Sequence, residues 1–540
     1  MSRSRDRVTA AVGVVVTLAL LVRLAGLGSR PFHWDEARVG YWTLRFAETG
    51  VYEYRPVAGG PFLYVVGRWL LTVLPATDLV ARIPVALVGG ALPAAALLFR
   101  GRLRDDETVA VAVVLAFAPV LLYYSRFLRG DVPLAAAALV AVGCAVRWVD
   151  TDDRRWLYAA AAAAAVGAGA SGFALATLAL VVAAGFVTVD HRRVAGEGES
   201  ARVALGEGGR WVLDRATPIA RALFVFLGTW ALLFTPRGWG LLVNPLTFAR
   251  RTYWAPLDAF YGVFVGGREG TQFLPYVTDA LSTTVSTGGL LFAVALVGFL
   301  ADRYAALPGT RDRDGPRPIV QFTSIWAGLG LIGYPVVAIT VAPWTLVHVF
   351  VPLAIPAGVG LAALARYGRR SVAAGDAARA TAALLVLLAV GAHAGVVVAE
   401  DAYGPQTAGN SLAQFAQPSD DLEPLVADME QALADSDDPR IVYVGDRFYL
   451  PDESTADQPP ISPEAARDAW GERLPLPWYV ERTGAETGSV VTPDRMEGSP
   501  AVVITDPGNA AAVDSRLSGY ERRELRLGLW NRKVVVFLEN

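Results

Sequence analysis

The chain has 540 residues, and its composition excludes an ordinary soluble protein. Apolar residues make up 54% of it and charged residues only 18%, whereas a soluble domain has about 25% charged residues. The net charge of −3 conceals two unlike parts, because residues 400–540 hold 26 acidic and 12 basic side chains, a net of −14, which leaves +11 for the remainder. The basic excess lies in short loops between apolar runs, where membrane orientation explains it without a nucleic-acid partner.

Apolar runs near 20 residues recur up to about residue 399, and each is long enough to cross a hydrocarbon core about 30 Å thick. The first run follows Arg3, Arg5 and Arg7, and it predicts a retained helix rather than a signal peptide, because no small-residue cleavage site follows it. Eleven spans are predicted in all, at 8–24, 79–99, 108–124, 132–148, 156–170, 172–189, 219–235, 280–300, 319–341, 345–365 and 378–398.

The alternation of these spans predicts an orientation. With the N-terminus inside, the short Arg-rich loops all fall inside and the C-terminus falls outside, as the positive-inside rule requires. Two long loops, 28–78 and 235–279, then lie outside. We therefore expect a multi-pass cell-membrane protein with a transmembrane domain over 1–399 and an acidic extracytoplasmic α/β domain over 400–540.

An acidic pair follows the first span, in the stretch His-Trp-Asp-Glu-Ala-Arg-Val-Gly-Tyr at 33–41. In a helix, Asp35 and Arg38 are i,i+3 neighbours, while Asp35 and Glu36 point in different directions. One interpretation is a solvated helix cap with an ion pair. The other is a catalytic pair in which Asp35 acts as a general base on an acceptor hydroxyl, or polarises it, at the rim of the bilayer.

The next short outer loop has the sequence Ser-Arg-Phe-Leu-Arg-Gly-Asp at 125–131. The planar guanidinium groups of Arg126 and Arg129 suit a phosphodiester, and Asp131 could orient one of them. The alternative is an interfacial anchor whose arginines meet lipid phosphates. Gly167-x-Gly169-x-x-Gly172 fits a dinucleotide fingerprint on paper, but it follows an Ala-rich apolar run rather than a strand, so it predicts close helix packing.

A later span begins with Pro-Trp-Thr at 343–345, followed by His348. Trp344 is at a depth where tryptophan is ordinarily an interface anchor, and a histidine such as His348 is more often a satisfied polar group than a ligand. The four histidines show no zinc spacing. Cys144 is the only cysteine, and its apolar surroundings predict a buried structural thiol.

Beyond residue 400 the pattern becomes that of a small α/β domain. Helical spacing covers 422–434, and short apolar runs at 441–445, 501–505 and 533–538 predict buried strands. Lys533 is the only lysine in the chain. This bias toward arginine, combined with the acidic domain, indicates a high-salt organism, although a GC-rich genome would also favour arginine.

The membrane part resembles the GT-C superfamily of polyprenyl-phosphate-sugar glycosyltransferases. The resemblance rests on Asp-Glu-Ala-Arg after the first span and on a Pro-containing stretch that ends in an apolar segment with Tyr64. It is strongest with the protein-mannosyltransferase and aminoarabinose-transferase branch, and with the archaeal flippase-activity-associated proteins of N-glycosylation. The Lys-Pro-Pro segment of some branches is absent, with Arg55-Pro56 and Gly60-Pro61 nearby.

This resemblance implies a site and a reaction. Asp35 falls on the branch's catalytic Asp and Glu36 on its companion acid. The implied substrate-binding residues are Arg38, Tyr64, Arg126, Arg129, Asp131, Trp344 and His348. The implied donor is a polyprenyl (dolichyl)-phosphate-linked sugar, transferred with inversion to a glycan or protein acceptor at the outer face. No cofactor or metal site is predicted, although the oligosaccharyltransferase branch uses acidic residues for a divalent metal such as Mg or Mn, and Asp131 could do the same.

Two further functions remain possible from the sequence. The same fold could have lost catalysis and assist the translocation of lipid-linked sugars. A secondary transporter is disfavoured, because transporters usually carry mid-span acidic residues, which are scarce here.

Overall fold

The computed structural model describes residues 2–52, 54, 59–194, 201–238, 244–261, 273–304, 316–338, 342–451, 453 and 469–540, so that Arg55-Pro56 lies outside the described residues. The helices of the first half of the chain are α1 (Ser2–Leu24), α2 (Trp34–Thr49), α3 (Pro61–Val73), α4 (Asp78–Ala91), α5 (Asp105–Phe117), α6 (Pro119–Tyr124), α7 (Asp131–Thr151), α8 (Arg154–Ala168), α9 (Ala174–Val194), α10 (Ala201–Asp214), α11 (Ala216–Phe234), α12 (Pro245–Ala249) and α13 (Ala255–Tyr261).

The remaining helices are α14 (Phe273–Tyr304), α15 (Pro318–Val337), α16 (Val347–Ala373), α17 (Ala377–Val397), α18 (Glu423–Asp435), α19 (Ala469–Arg473), α20 (Leu476–Glu481) and α21 (Ala510–Asp514). A 3-10 segment, Leu92–Phe99, extends α4, and another, Pro343–Leu346, precedes α16. The strands are β1 (Arg440–Val444), β2 (Glu486–Val490), β3 (Val502–Thr505), β4 (Tyr520–Gly528) and β5 (Arg532–Glu539).

Nine helical stretches of the described chain are long and apolar enough to cross a membrane. They correspond to nine of the eleven predicted spans. The predicted span 108–124 is instead two helices, α5 and α6, because Pro119 has no N–H to continue the first of them. The predicted span 156–170 corresponds to α8, which has 15 residues, so the full count of eleven remains a prediction.

The chain divides into two compact units. The first comprises Met1–Gly26, Ile83–Thr235 and Gly270–Gly404, and it contains most of the apolar helices. The second comprises Leu27–Arg82, Pro236–Glu269 and Pro405–Asn540. The C-terminal segment therefore clusters with the two long loops that the sequence placed outside the membrane.

Within the first unit, the N-terminal half of α16 is buried, from Val347 to Gly360. Its contact with α14 depends on glycines, because a Cβ at Gly298 would lie 2.0 Å from the Pro356 carbonyl oxygen and one at Gly360 would lie 2.2 Å from the Val294 oxygen. Small residues let apolar helices approach this closely. Cys144 is buried in α7, as predicted.

A buried arginine donates hydrogen bonds to the carbonyl oxygens at the break between α5 and α6. Since Pro119 cannot donate to the Leu115 carbonyl, this oxygen needs another partner. Arg23 of α1 supplies it, with Nη2 3.3 Å from the Leu115 oxygen and Nη1 2.8 Å from the Ala116 oxygen. The side chain of Arg23 is fully buried, so this guanidinium serves helix packing within the first unit.

Within the second unit, the C-terminal residues form a five-stranded sheet in the order β2-β1-β3-β5-β4. Strand β1 pairs in parallel with β2 and β3, while β5 is antiparallel to β3 and β4. The predicted helix and the three predicted strands correspond to α18, β1, β3 and β5. The edge strands β2 and β4 were missed, because they carry polar and charged residues rather than an apolar run.

Candidate functional site

The acidic pair lies in the first turn of α2, where His33 at the N-cap fixes the backbone. The His33 Nδ1 accepts a hydrogen bond from the Asp35 N–H at 3.1 Å, and its Nε2 lies 2.8 Å from Oε1 of Gln414. Because Nδ1 is an acceptor, the proton of the neutral ring is assigned to Nε2, which then donates to Gln414. The Glu36 carboxylate accepts from the His33 N–H at 3.0 Å and completes a capping box.

Glu36 is fully buried and is held by two arginines. Arg82 donates Nε to Oε1 at 2.7 Å and Nη2 to Oε2 at 2.8 Å, while Arg30 donates to Oε2 at 3.3 Å. Burial would raise the pKa of Glu36, but Arg82 and Arg30 outweigh it and lower the pKa to about 2. This pairing favours a positioning role for Glu36 over proton transfer.

Arg82 is a site residue that the sequence analysis missed. Besides binding Glu36, its Nη1 donates to the carbonyl oxygens of Arg30 at 2.7 Å and Leu27 at 3.2 Å. The guanidinium therefore ties the start of α4 to the segment that precedes α2. The available signal was an ionisable residue inside the predicted apolar span 79–99, since such residues are rarely without a role.

Asp35 is only partly buried, in contrast to Glu36. Successive helical residues point about 100° apart, so the two carboxylates face different surroundings, as the spacing predicted. Arg38, one turn further along, is buried, and its Nε forms no hydrogen bond within the described residues. Burial lowers the pKa of Arg38, while the neighbouring Asp35 and Tyr64 raise it. Asp35, Arg38 and Tyr64 are thus brought together in the second unit.

The other predicted site residues lie in the first unit, where Arg126 and Arg129 differ in their partners. Arg126 donates Nη1 to the Ala25 oxygen at 2.5 Å and Nη2 to the Gly26 oxygen at 2.8 Å. It therefore satisfies carbonyl groups at the C-terminal end of α1, which have no intrahelical partner. Its guanidinium also lies over the Tyr403 ring, 4.3 Å from the centroid.

Arg129, Asp131, Trp344 and His348 form one buried cluster, which we call the Asp131 cluster. The Arg129 Nε donates to Oδ2 of Asp131 at 3.0 Å, and its guanidinium carbon lies 3.7 Å from the Trp344 ring centroid. The His348 Nε2 lies 3.5 Å from Oδ1 of Asp131. The sequence placed these residues on one face of the membrane, and the structure brings all four together.

Three polar atoms of the Asp131 cluster lack a hydrogen-bond partner within the described residues. They are Oδ1 of Asp131 and both ring nitrogens of His348. The His348 ring stacks on Tyr334 at 4.7 Å between centroids, and the Tyr334 hydroxyl lies 2.8 Å from Oγ1 of Thr177. Unpaired buried polar atoms cost about 1–3 kcal/mol each, so the Asp131 cluster is suited to a polar ligand or water.

A metal-binding group is not apparent in the described part of the chain, where no three or more His, Cys, Asp or Glu side chains converge. Asp131 has Arg129 and His348 beside it. The Asp131 cluster and the group of Asp35, Arg38 and Tyr64 both contain guanidinium and carboxylate groups, and the Asp131 cluster adds an imidazole. A guanidinium can bind a phosphate, and a carboxylate or an imidazole can accept or donate a proton.

Comparisons with known proteins find a family match for the C-terminal domain and similar solved structures for the whole chain. Residues 422–539 match the family model of the Agl23 flippase-associated protein C-terminal domain. The structure of ArnT from Cupriavidus metallidurans bound to undecaprenyl phosphate superposes with a TM-score of 0.56 at 17% identity, over 98% of each chain. The chain has the GT-C fold.

The oligosaccharyltransferase of Archaeoglobus fulgidus is a second similar structure. Its apo form gives a TM-score of 0.52 at 13% identity, over 95% of this chain and 73% of that one. The complex of the archaeal oligosaccharyltransferase AglB from the same organism with an inhibitory peptide and a dolichol-phosphate gives 0.52 at 13%, over 92% and 69%. No curated protein matches the sequence.

These findings confirm the predicted resemblance. The protein is a multi-pass membrane protein with the GT-C fold, and its residues 422–539 resemble the C-terminal domain of the flippase-associated proteins.

Proposed function

We propose that this protein is an inverting glycosyltransferase that uses a polyprenyl (dolichyl)-phosphate-linked sugar at the outer face of the membrane, for assembly of a protein-bound or lipid-linked glycan. The observation that carries the proposal is the difference between the two adjacent carboxylates in the first turn of α2. Glu36 is enclosed by Arg82 and Arg30, while the adjacent Asp35 is held in place and partly exposed.

In this proposal Asp35 accepts the proton of an acceptor hydroxyl or amide as the acceptor atom attacks the anomeric carbon. The bond between that carbon and the phosphate oxygen breaks on the opposite side, and the lipid phosphate leaves with the electron pair. Positioned proton transfer of this kind contributes roughly 10²–10⁴ to the rate. Arg38 is the proposed hydrogen-bond donor to the substrate beside Asp35, because its buried Nε forms no hydrogen bond within the described residues.

We assign recognition of the lipid phosphate chiefly to Arg129. Its guanidinium lies on Trp344 and bonds Asp131 through Nε, and a planar guanidinium can bind a phosphate with two parallel hydrogen bonds. Arg126 has a lesser proposed share, since its Nη groups already donate to α1 carbonyl oxygens. Structures of ArnT with undecaprenyl phosphate and of AglB with a dolichol-phosphate support a lipid-phosphate donor.

A second function is favoured by the match of residues 422–539 to a flippase-associated domain. In this alternative the protein has the same fold, binds the same lipid-linked sugars, and assists their translocation without catalysing transfer. The two functions differ in what they require of Asp35.

The test compares Asp35→Asn with wild type in a transfer assay with purified protein, polyprenyl-phosphate sugars and a glycan or peptide acceptor. A transferase should lose roughly 10²–10⁴ of its rate while donor binding persists. Glu36→Gln should lose less activity per folded molecule. The assay is run with EDTA and with added Mg²⁺ or Mn²⁺, which decides whether a divalent cation takes part.

Folding is controlled by comparing unfolding midpoints, because loss of a helix-capping group alone costs about 1 kcal/mol. A folded Asp35→Asn protein that sustains full glycosylation in cells would exclude catalysis and establish the helper function.

A further inference from the structure

A polar cavity of about 470 Å³ lies within the second unit, between the C-terminal half of α2 and the C-terminal domain. Its size is in the range of pockets that bind small molecules. We call it the Tyr443 pocket, and its walls include Tyr41, Arg45, Glu48, Tyr443, Arg473 and Glu481. None of these residues has a role in the proposed transfer reaction.

The Tyr443 hydroxyl is the first indication of a ligand. Tyr443 is 1% exposed, and its hydroxyl forms no hydrogen bond within the described residues. Burial raises the pKa of Tyr443, so the hydroxyl stays protonated. Leaving such a group unpaired destabilises the folded protein, and a ligand hydroxyl in the pocket would offset that cost.

The charged groups of the pocket are the second indication. Arg45 pairs with Glu481 at 3.0 Å, and Arg473 pairs with Glu453 at 2.8 Å. Glu48 lines the same pocket as this first pair, and there partial burial and Glu481 raise the pKa of Glu48 while Arg45 lowers it. The lining therefore holds three carboxylates and two guanidinium groups.

This lining selects a class of ligand. Three carboxylates repel a phosphate or a uronate, and two guanidinium groups repel a bare cation. Carboxylates accept hydrogen bonds and guanidinium groups donate them, so a lining that holds both matches a neutral molecule with many hydroxyls. A sugar ring is such a molecule, and its hydroxyls can both donate to the carboxylates and accept from the arginines and Tyr443.

The pocket lies along α2 from Asp35. Tyr41, Arg45 and Glu48 follow the i, i+4, i+7 spacing of one helix face. They are 6 to 13 positions beyond Asp35, which is roughly 9–20 Å along the helix axis. A ligand in the pocket would thus lie several sugar rings away from the group that activates the acceptor.

We propose that the Tyr443 pocket binds a neutral sugar unit of the acceptor glycan, away from the point of transfer. The assignment to the acceptor rests on the proposed transferase function, whereas the binding of a neutral sugar rests on the pocket alone. The two can therefore fail separately.

The test uses the full-length protein in detergent with three variants. Tyr443→Phe removes only the orphan hydroxyl, and Glu48→Gln removes one carboxylate. Tyr520→Phe is the matched control, because its hydroxyl lies in the same domain but donates to the Pro500 oxygen at 2.9 Å. The probes are the neutral disaccharides chitobiose, mannobiose and maltose, with glucose 6-phosphate as the charged counterpart, measured by saturation-transfer NMR.

We expect wild type and Tyr520→Phe to bind at least one neutral disaccharide in preference to the phosphate, and Tyr443→Phe and Glu48→Gln to bind it roughly 2- to 12-fold more weakly. In the transfer assay Tyr443→Phe should raise the KM for the acceptor and leave that for the donor unchanged. Equal binding by wild type and Tyr443→Phe, or binding of none of the disaccharides, would overturn the inference. Sugar binding that persists in a protein without transferase activity would keep the pocket and refute only the proposed function.

Discussion

Glu36 and Asp131 are both buried carboxylates beside an arginine, yet their surroundings differ. Glu36 accepts hydrogen bonds from Arg82, Arg30 and the His33 N–H. Asp131 accepts one from Arg129 through Oδ2, and its Oδ1 has none from the described residues. A completely paired carboxylate stabilises the native structure, whereas an incompletely paired one has capacity left for a ligand. This contrast favours a structural role for Glu36 and supports the proposal that the Asp131 cluster binds a ligand.

The largest effect is expected from Arg82→Ala. The substitution leaves the fully buried Glu36 carboxylate without its main partner, and breaking a buried pair in this way costs about 3–5 kcal/mol. The unfolding midpoint, followed by tryptophan fluorescence in detergent, measures the loss. A double variant, Arg82→Met with Glu36→Leu, should recover part of it, and a double variant no more stable than Arg82→Ala would contradict the interpretation.

Stability should also depend on pH through Glu36. Its pKa is about 2 in the folded protein against 4.5 ordinarily, so its stabilising contribution is complete above about pH 4.5 and is lost as the pH falls toward 2. The shift corresponds to about 3 kcal/mol. We expect the stability advantage of wild type over Glu36→Gln to shrink between pH 5 and pH 3, and an advantage that stays constant over this range would refute the ion-pair assignment.

In the Asp131 cluster, substitution should affect binding. We expect Arg129→Ala to weaken binding of a polyprenyl-phosphate sugar by roughly 10- to 100-fold, the loss of a hydrogen bond to a charged group. Arg129→Lys should lose less, because lysine keeps the charge and lacks only the planar fork. Native mass spectrometry of retained lipid measures the affinity.

Arg126→Gln is the matched control for this experiment. Because its guanidinium binds α1 carbonyl oxygens, we expect a smaller loss of affinity and a larger loss of thermal stability than for Arg129→Ala. Equal affinity of wild type, Arg129→Ala and Arg129→Lys would remove the phosphate role.

The smallest effect is expected at an exposed ion pair. Arg516 lies 3.1 Å from Asp494, whose side chain is 88% exposed, and pairs of this kind contribute roughly 0.2–1 kcal/mol or nothing. Asp494→Asn should therefore shift the unfolding midpoint far less than Arg82→Ala does. A shift comparable to that of Arg82→Ala would show that burial does not set the strength of these pairs.

The sequence predicted the elements that depend on local patterns, namely apolar runs and helical spacing. Apolar runs predicted the spans, because a chain in hydrocarbon must satisfy its backbone internally, and helical spacing separated Asp35 from Glu36. Pro119 is part of the predicted span 108–124, but the prediction did not include the break that this proline causes between α5 and α6. The edge strands β2 and β4 carry no apolar run and were invisible to the pattern.

Partners distant in sequence could not be predicted. Arg82 is 46 positions from Glu36, and no local spacing connects them. Likewise, the position of His348 beside Asp131 depends on how α7 and α16 pack. The Tyr443 pocket combines residues of α2 with residues some 400 positions later, so its existence follows only from the folded chain.

The single cysteine gives this protein an experimental advantage. Cys144 is buried in α7, so a membrane-impermeant maleimide has little native thiol to label. The Arg-rich loops predict a cytoplasmic N-terminus and an external C-terminal domain. On this prediction a cysteine introduced at Asn540 should react in intact cells, and one introduced at Ser2 only after lysis, and the reverse pattern would refute it. Because Cys144 gives little background labelling, the membrane topology of the whole chain can be mapped with one engineered cysteine at a time.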